Sequence, residues 1–92
     1  MYTIIFSARA GKSLRKYAKG GSFPEEKFER ALRELRAQGQ LPAAYRDHKL
    51  AGSLAMYREF HLAQDILVQY SKDTERRLIM IVKIGTHSEL FG

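Results

Sequence analysis

The first forty residues of the chain predict one strand followed by two helices. Residues 2–6 form a β-branched and aromatic run that is typical of a strand, and Ser7 follows in the position of a helix N-cap. Apolar side chains then recur at helical spacing until a glycine pair ends the helix. A second helix is predicted to begin with a capping box between Ser22 and Glu25 and to end at Gly39.

The second half of the chain predicts a sheet. Residues 57–62 and 66–71 are predicted to form two strands joined by a tight connector, and residues 50–54 are predicted to form a short strand or turn. Residues 78–84 are nearly all apolar, which predicts a central strand with both faces buried. The order β-α-α-β-β-β, with an extra short strand allowed, indicates an α+β domain. Two N-terminal helices pack on one face of a mainly antiparallel, twisted sheet.

Composition is consistent with one globular domain over residues 1–92. Hydrophobic residues make up 45% of the chain and charged residues 28%, which argues against disorder. The absence of cysteine excludes disulfides, thiolate nucleophiles and cysteine-ligated zinc. No apolar run approaches the roughly 20 residues that span a bilayer. We therefore expect a cytoplasmic protein that has no membrane partner and needs no cofactor.

Positive charge is concentrated in the first half. Residues 1–46 hold ten basic and four acidic side chains, whereas residues 47–92 hold six of each and all three histidines. This asymmetry predicts that the first half binds a polyanion on which the second half acts. A basic surface that serves only solubility is the competing interpretation.

The second half also contains the residue types needed to cleave RNA without a metal. That reaction requires a base for the ribose 2′-hydroxyl, an acid for the leaving 5′-oxygen and a cation for the phosphate. Imidazole, with an ordinary pKa of about 6.5, suits both proton transfers. His48, His61 and His87 are the candidate acid and bases, Arg58 the candidate cation, and Asp65 a carboxylate that orients or tunes an imidazole.

Two features of this set leave alternatives open. Strict strand alternation places Arg58 and His61 on opposite faces of their strand unless a bulge intervenes near residues 59–60. The three histidines and Asp65 also have the ligand types of a zinc site, although their spacings match no standard pattern. Near the terminus, Phe91 either tucks onto the core or offers a face on which a base stacks.

Three segments of the second half resemble the YafQ-like branch of the RelE superfamily, the toxins of bacterial type II toxin–antitoxin pairs. The family pattern is L-P-x-x-Y-x-D-H-x-L-x-G, then R-x-x-H, then D-x-x-L-x-Y, then G-T-H-x-x-L-F. Residues 41–52, 57–70 and 85–91 fill every named position except one leucine, where Val68 stands. In the first half the agreement is limited to the strand and the paired basic helices.

The resemblance implies a small RelE-like fold and a ribosome-dependent endoribonuclease. Such an mRNA interferase cuts mRNA in the ribosomal A site by metal-independent acid–base catalysis and leaves a 2′,3′-cyclic phosphate or its opened form. Transferred to this sequence, Arg58 lies near the scissile phosphate and Phe91 contacts the mRNA. The residues matching the family's acid–base set are His48, His61, Asp65 and His87.

The resemblance also implies partners. We expect an acidic antitoxin, the ribosome and mRNA, with operator DNA bound only through the antitoxin. The predicted first helix carries a basic face for ribosomal RNA phosphates, which also suits the antitoxin. Its members are Arg9, Lys12, Arg15, Lys16 and Lys19. The alternatives are a non-catalytic RNA-binding or corepressor module and a ribosome-independent nuclease.

Overall fold

Five strands and three helices make up the part of the chain that the computed structural model describes, residues 1–91. The strands are β1 (Thr3–Phe6), β2 (His48–Lys49), β3 (Tyr57–Ala63), β4 (Ile66–Asp73) and β5 (Leu78–Gly85). The helices are α1 (Ala8–Gly20), α2 (Glu25–Gln38) and α3 (His87–Phe91). Within residues 1–91, no helix has the length and apolar character needed to cross a membrane.

The strands form one mixed sheet in the order β1-β5-β4-β3-β2. Neighbouring strands are antiparallel except β1 and β5, which pair in parallel from Thr3 beside Leu78 to Phe6 beside Ile81. A parallel pair needs a long crossover, and α1 and α2 lie within the crossover that joins β1 to the rest of the sheet. The predicted α+β class, with two N-terminal helices on a mainly antiparallel sheet, is confirmed.

The apolar sides of α1 and α2 cover one face of the sheet. Ser7 joins the two layers, because its Oγ accepts a hydrogen bond from the Ala10 N–H at 3.0 Å and donates one to the Val82 carbonyl at 2.6 Å. Buried side chains from both layers form the core: Ala10, Phe28, Ala31, Leu35, Phe60, Leu62, Val68, Tyr70, Ile79, Ile81 and Ile84.

Two details of the predicted elements were wrong. The Ser22–Glu25 capping box does not form, and α2 begins after Pro24 without a side-chain cap. For residues 50–54, read as a short strand or turn, the structure has a 3-10 turn at Gly52–Leu54, and the two-residue strand β2 precedes it.

The second wrong detail concerns β5. It is an internal strand between β1 and β4, as predicted, but its two faces are not equally buried, since Ile79 and Ile81 are buried whereas Met80 and Val82 are only half-buried. Helix α3 is an additional element that the sequence reading did not include.

Strand alternation gives the two faces of the sheet different chemistry. On β3, Phe60 and Leu62 point toward the helices, and Arg58 shares that face. Glu59 and His61 point to the other face, where His48 of β2 is paired with Glu59. We call the side that carries His48, Glu59 and His61 the histidine face.

Candidate active site

His48 and His61 lie together on the histidine face. Their ring centroids are 6.0 Å apart, and Glu59 projects between the strands that carry them. One carboxylate oxygen of Glu59 is 3.5 Å from His48 Nε2, and the Glu59 residue is only 5% exposed. The three side chains also present ligand atoms within 4.8 Å of one another, so they are the group that can hold a metal ion.

Arg46, from the turn before β2, fixes the proton positions of both rings. Its Nη2 lies 3.0 Å from His61 Nδ1, and because a guanidinium only donates, this nitrogen is unprotonated and His61 carries its proton on Nε2. Burial, and next the Arg46 charge, lower the pKa of His61. The Arg46 carbonyl lies 2.9 Å from His48 Nδ1, which therefore donates. The open nitrogen of neutral His48 is consequently Nε2.

His87, Asp65 and Phe91 form a second group. Asp65 lies in the connection between β3 and β4, and its Oδ1 accepts a hydrogen bond from the His87 backbone N–H at 3.4 Å. The rings of His87 and Phe91 have centroids 4.9 Å apart. The aspartate thus holds the first residue of α3, and the imidazole and phenyl rings lie side by side.

Helix α3 is built by a capping box that is present in the sequence. The Thr86 backbone N–H donates to Glu89 Oε1 at 2.8 Å, and the Glu89 N–H donates to Thr86 Oγ1 at 3.2 Å. The hydrogen bond from the Thr86 backbone is the main cause that lowers the pKa of Glu89. This reciprocal pair sets where His87 begins the helix.

Helix α1 anchors α3 through the same glutamate. The Tyr17 hydroxyl donates to Glu89 Oε1 at 2.9 Å, and burial, followed by this bond, raises the pKa of Tyr17 to about 12. Lys16 Nζ lies 3.6 Å from Glu89 Oε2, and Arg9 donates to the Glu89 carbonyl at 3.3 Å. Two of the five predicted RNA-binding cations therefore also hold α3, whereas Lys12, Arg15 and Lys19 project from the same exposed helix.

The two groups lie on neighbouring parts of the sheet rather than in one cluster. His61 on β3 is paired with Leu67 on β4, which is paired with Gly85 on β5. Two inter-strand spacings put the His61 and Gly85 backbones roughly 10 Å apart. His87 follows Gly85 by two residues.

Arg58 lies apart from both groups. Its Nε donates to Asp47 Oδ1 at 3.1 Å on the helix-facing side of β3, and the Tyr70 hydroxyl donates to Asp47 Oδ2 at 2.5 Å. The β3–β4 register does shift, but between His61 and Ala63, which is beyond the stretch where a bulge would turn Arg58 toward His61. The guanidinium beside the histidines is that of Arg46.

Arg46 and Glu59 were the site residues that the sequence reading missed. For Glu59 the signal is a period of two, because Glu59 precedes His61 by two positions in strand β3. Residues with that spacing share a face of an extended chain. The same rule separates Arg58 from His61. Arg46 lies in a turn with φ 51°, so the same rule gives no signal for it.

Comparison with known proteins places this chain in a family. A profile described as a bacterial toxin of a type II toxin–antitoxin system, YafQ, matches residues 2–92. The chain belongs to the YafQ family. The mRNA interferase toxin YafQ of Escherichia coli K12 is 44% identical to this family member over 52 residues, which are 56% of this chain and 54% of the relative. The aligned part thus spans about half the length of the curated relative.

Solved structures of similar toxins superpose over nearly the whole chain. The E. coli DinJ–YafQ complex matches with 29% identity and a TM-score of 0.84, covering 100% of both chains. A metal-bound toxin from Helicobacter pylori matches with 33% identity and a TM-score of 0.87, covering 99% of this chain and 100% of the other. The α+β arrangement expected from the sequence is therefore shared with the solved structures of YafQ and of the H. pylori toxin.

Proposed function

We propose that this YafQ-family toxin is an endoribonuclease, an mRNA interferase that cleaves mRNA in the ribosomal A site without a metal cofactor. The observation that supports the proposal most directly is the cluster of His48, Glu59 and His61 on the histidine face. His48, with its open Nε2 beside Glu59, lies on β2. His87 lies at the start of α3, which follows β5, and strands β3 and β4 separate β2 from β5. The E. coli relative that the chain matches is named an mRNA interferase.

His48 is the general base in this mechanism. Its Nε2 accepts the proton of the ribose 2′-hydroxyl, and the resulting imidazolium lies 3.5 Å from a Glu59 oxygen. His61 is less suited to that role, because its Nδ1 is occupied by Arg46. His61 instead donates from Nε2 to a phosphate oxygen, and Arg46 supplies its remaining guanidinium N–H groups to the developing negative charge.

His87 is the general acid that protonates the leaving 5′-oxygen, which yields a 2′,3′-cyclic phosphate. Asp65 positions it through the backbone N–H at 3.4 Å. Phe91, 41% exposed and next to the His87 ring, offers a face for a base of the mRNA. A stacked base beside the acid orients the leaving group toward it.

Binding to the ribosome and to an antitoxin involves the basic side of α1. Lys12, Arg15 and Lys19 are exposed there and suit the phosphates of ribosomal RNA. The E. coli relative was crystallised in a complex with DinJ. We propose that an acidic antitoxin binds this toxin too, covers the same surface and links it indirectly to operator DNA.

A metal would act here as a competitor of the proton transfer. The H. pylori relative was crystallised with metal bound, and in this chain His48, Glu59 and His61 converge within 4.8 Å. Borderline cations such as Zn²⁺ and Cu²⁺ prefer imidazole nitrogen, the atom that His48 uses as a base. Bound metal therefore inhibits cleavage rather than supporting it.

The decisive experiment incubates the purified toxin with ribosomes programmed with a labelled mRNA. We expect a discrete cut that persists when the toxin is stripped of metal with EDTA and dialysed into magnesium-containing ribosome buffer before mixing. The cut should be abolished or lowered roughly 10²–10⁴-fold by His48→Ala or His87→Ala, and it should be absent on naked RNA. A ribosome-independent nuclease would cut naked RNA equally well. Binding to ribosomes with no cut by the wild-type protein would instead identify a non-catalytic RNA-binding or corepressor module.

A further inference from the structure

Asp47 stands between two residues of the active site but points the other way. Arg46 and His48 contact each other and His61 on the histidine face. The Asp47 carboxylate lies on the helix-facing side, where it meets Arg58 and Tyr70. The turn that contains Arg46 and precedes His48 is therefore bound to the sheet through contacts on its helix-facing side.

Both oxygens of this carboxylate are engaged. Oδ1 accepts from Arg58 Nε at 3.1 Å and Oδ2 from the Tyr70 hydroxyl at 2.5 Å. Tyr70 is fully buried in the core, and the Asp47 side chain is only 10% exposed. Because the donors come from β3 and β4, two neighbouring strands of the sheet hold one aspartate.

The backbone at this point needs such an anchor. Arg46 has φ 51° and ψ 42°, the left-handed region that residues with a Cβ adopt at an energetic cost. A short segment keeps this conformation when its surroundings fix it. The β2 strand that follows has only two residues, His48 and Lys49, so it adds little restraint of its own.

We propose that Asp47 is a positioning residue for cleavage, whose bonds to Arg58 and Tyr70 hold Arg46 and His48 in place on the histidine face. The inference rests on the proposed nuclease function. It gives Arg58 a different task from the one the family resemblance implies, since the guanidinium acts on the Asp47 carboxylate and not on the scissile phosphate.

The test compares Asp47→Asn with the wild-type toxin in cleavage kinetics and in backbone NMR relaxation. The amide keeps the shape of the side chain but removes the charge that both donors use. We expect kcat to fall roughly 10²-fold with KM nearly unchanged, since a displacement of about 1 Å costs that much. Order parameters of the residue 46–48 amides should drop from about 0.85 to below about 0.6. Asp73→Asn, which removes an exposed pair with Arg76, is the matched control and should change neither quantity.

Arg58→Met provides a second variant that keeps the proposal testable if Asp47→Asn fails to fold. The Arg58 side chain is 38% exposed, so its replacement leaves the core intact. We expect a roughly tenfold loss of kcat together with a partial loss of order in the turn. If Arg58 instead contacts the phosphate, cleavage falls while the turn stays ordered, and the positioning role is overturned.

The remaining outcomes separate this inference from the proposed function. Wild-type kcat in folded Asp47→Asn, or lost activity with an unchanged turn, overturns the role of Asp47. If the wild-type toxin cleaves no mRNA, the proposed function fails, and the order parameters of the variants still decide whether Asp47 holds the turn.

Discussion

Arg46 donates a hydrogen bond from Nη2 to Nδ1 of His61 over 3.0 Å. The contact places a permanent cation against an imidazole, so the doubly protonated ring is disfavoured. Burial adds to this effect and is the larger cause of the lowered pKa. Burial and the Arg46 charge together lower the pKa of His61, and the bond fixes the tautomer of the neutral ring.

Replacing Arg46 by alanine should raise the pKa of His61 toward its ordinary value without restoring it fully, because burial remains. NMR titration of the imidazole measures this shift directly. For the wild-type toxin, a folded-state pKa below the ordinary value means that stability declines as pH falls from about 6.5 to the folded-state pKa. In Arg46→Ala the pH range over which stability declines should narrow, because the folded-state pKa of His61 lies closer to its ordinary value. An unchanged His61 titration would contradict the Arg46–His61 contact.

Gly85→Ala should displace α3. A Cβ at this position would lie 2.8 Å from Glu89 Oε1 and 3.2 Å from Glu89 Cβ, so the capping glutamate must move. We expect a loss of about 1–3 kcal/mol in the free energy of unfolding, measured by urea denaturation, together with lower kcat. Gly20→Ala is the control, because a Cβ there meets nothing within 4 Å. Equal stability of the two variants would argue against close packing of Glu89 on Gly85.

Removing Lys12, Arg15 and Lys19 together should weaken binding to ribosomes and flatten its salt dependence. Each lost phosphate contact lowers the slope of log K against log salt by about 0.7–0.9, so the triple variant should lose about 2–3. Binding of labelled toxin across a potassium chloride series measures the slope. The control has the same change in net charge on α2, at three exposed arginines: Arg30, Arg33 and Arg36. If both triple variants lower the salt slope of ribosome binding by the same amount, net charge rather than the α1 surface accounts for binding.

Glu59→Gln should affect both mRNA cleavage and metal binding at the cluster of His48, Glu59 and His61, and to different extents. The substitution preserves size but removes the charge 3.5 Å from His48 Nε2. We expect roughly tenfold slower cleavage, and a Zn²⁺ or Cu²⁺ affinity weakened about 10–100-fold in calorimetric titration. Asp65→Asn, whose carboxylate lies outside this cluster, should leave metal affinity unchanged. Equal metal binding by wild type and Glu59→Gln would exclude Glu59 as a ligand.

Local rules predicted most of the fold. The apolar spacing of α1 and α2 and the alternation of β3 and β4 each lie within one segment of sequence, and these elements formed as expected. Helix α3 was predictable from the same kind of rule, since Thr86 and Glu89 have capping-box spacing. A five-residue helix lacks the repeated apolar positions on which helix prediction depends, so the cap was its one signal.

The site was less accessible to sequence reasoning because it depends on pairing between distant segments. That His48 approaches His61 follows from the register of a two-residue strand, which no local pattern specifies. For Arg58, alternation already indicated the face opposite His61, and the motif resemblance pointed to the phosphate instead. The structure follows alternation, because Asp47 offers that guanidinium a partner on the helix-facing side.

The parallel pairing of β1 with β5 has a consequence for the order in which the toxin matures. Thr3 is synthesised 75 residues before its register partner Leu78. A growing chain that stops short of β5 leaves β1 without its neighbour and also lacks α3 and His87. Completion of the sheet and synthesis of the proposed general acid are therefore both delayed until β5 and α3 have been translated.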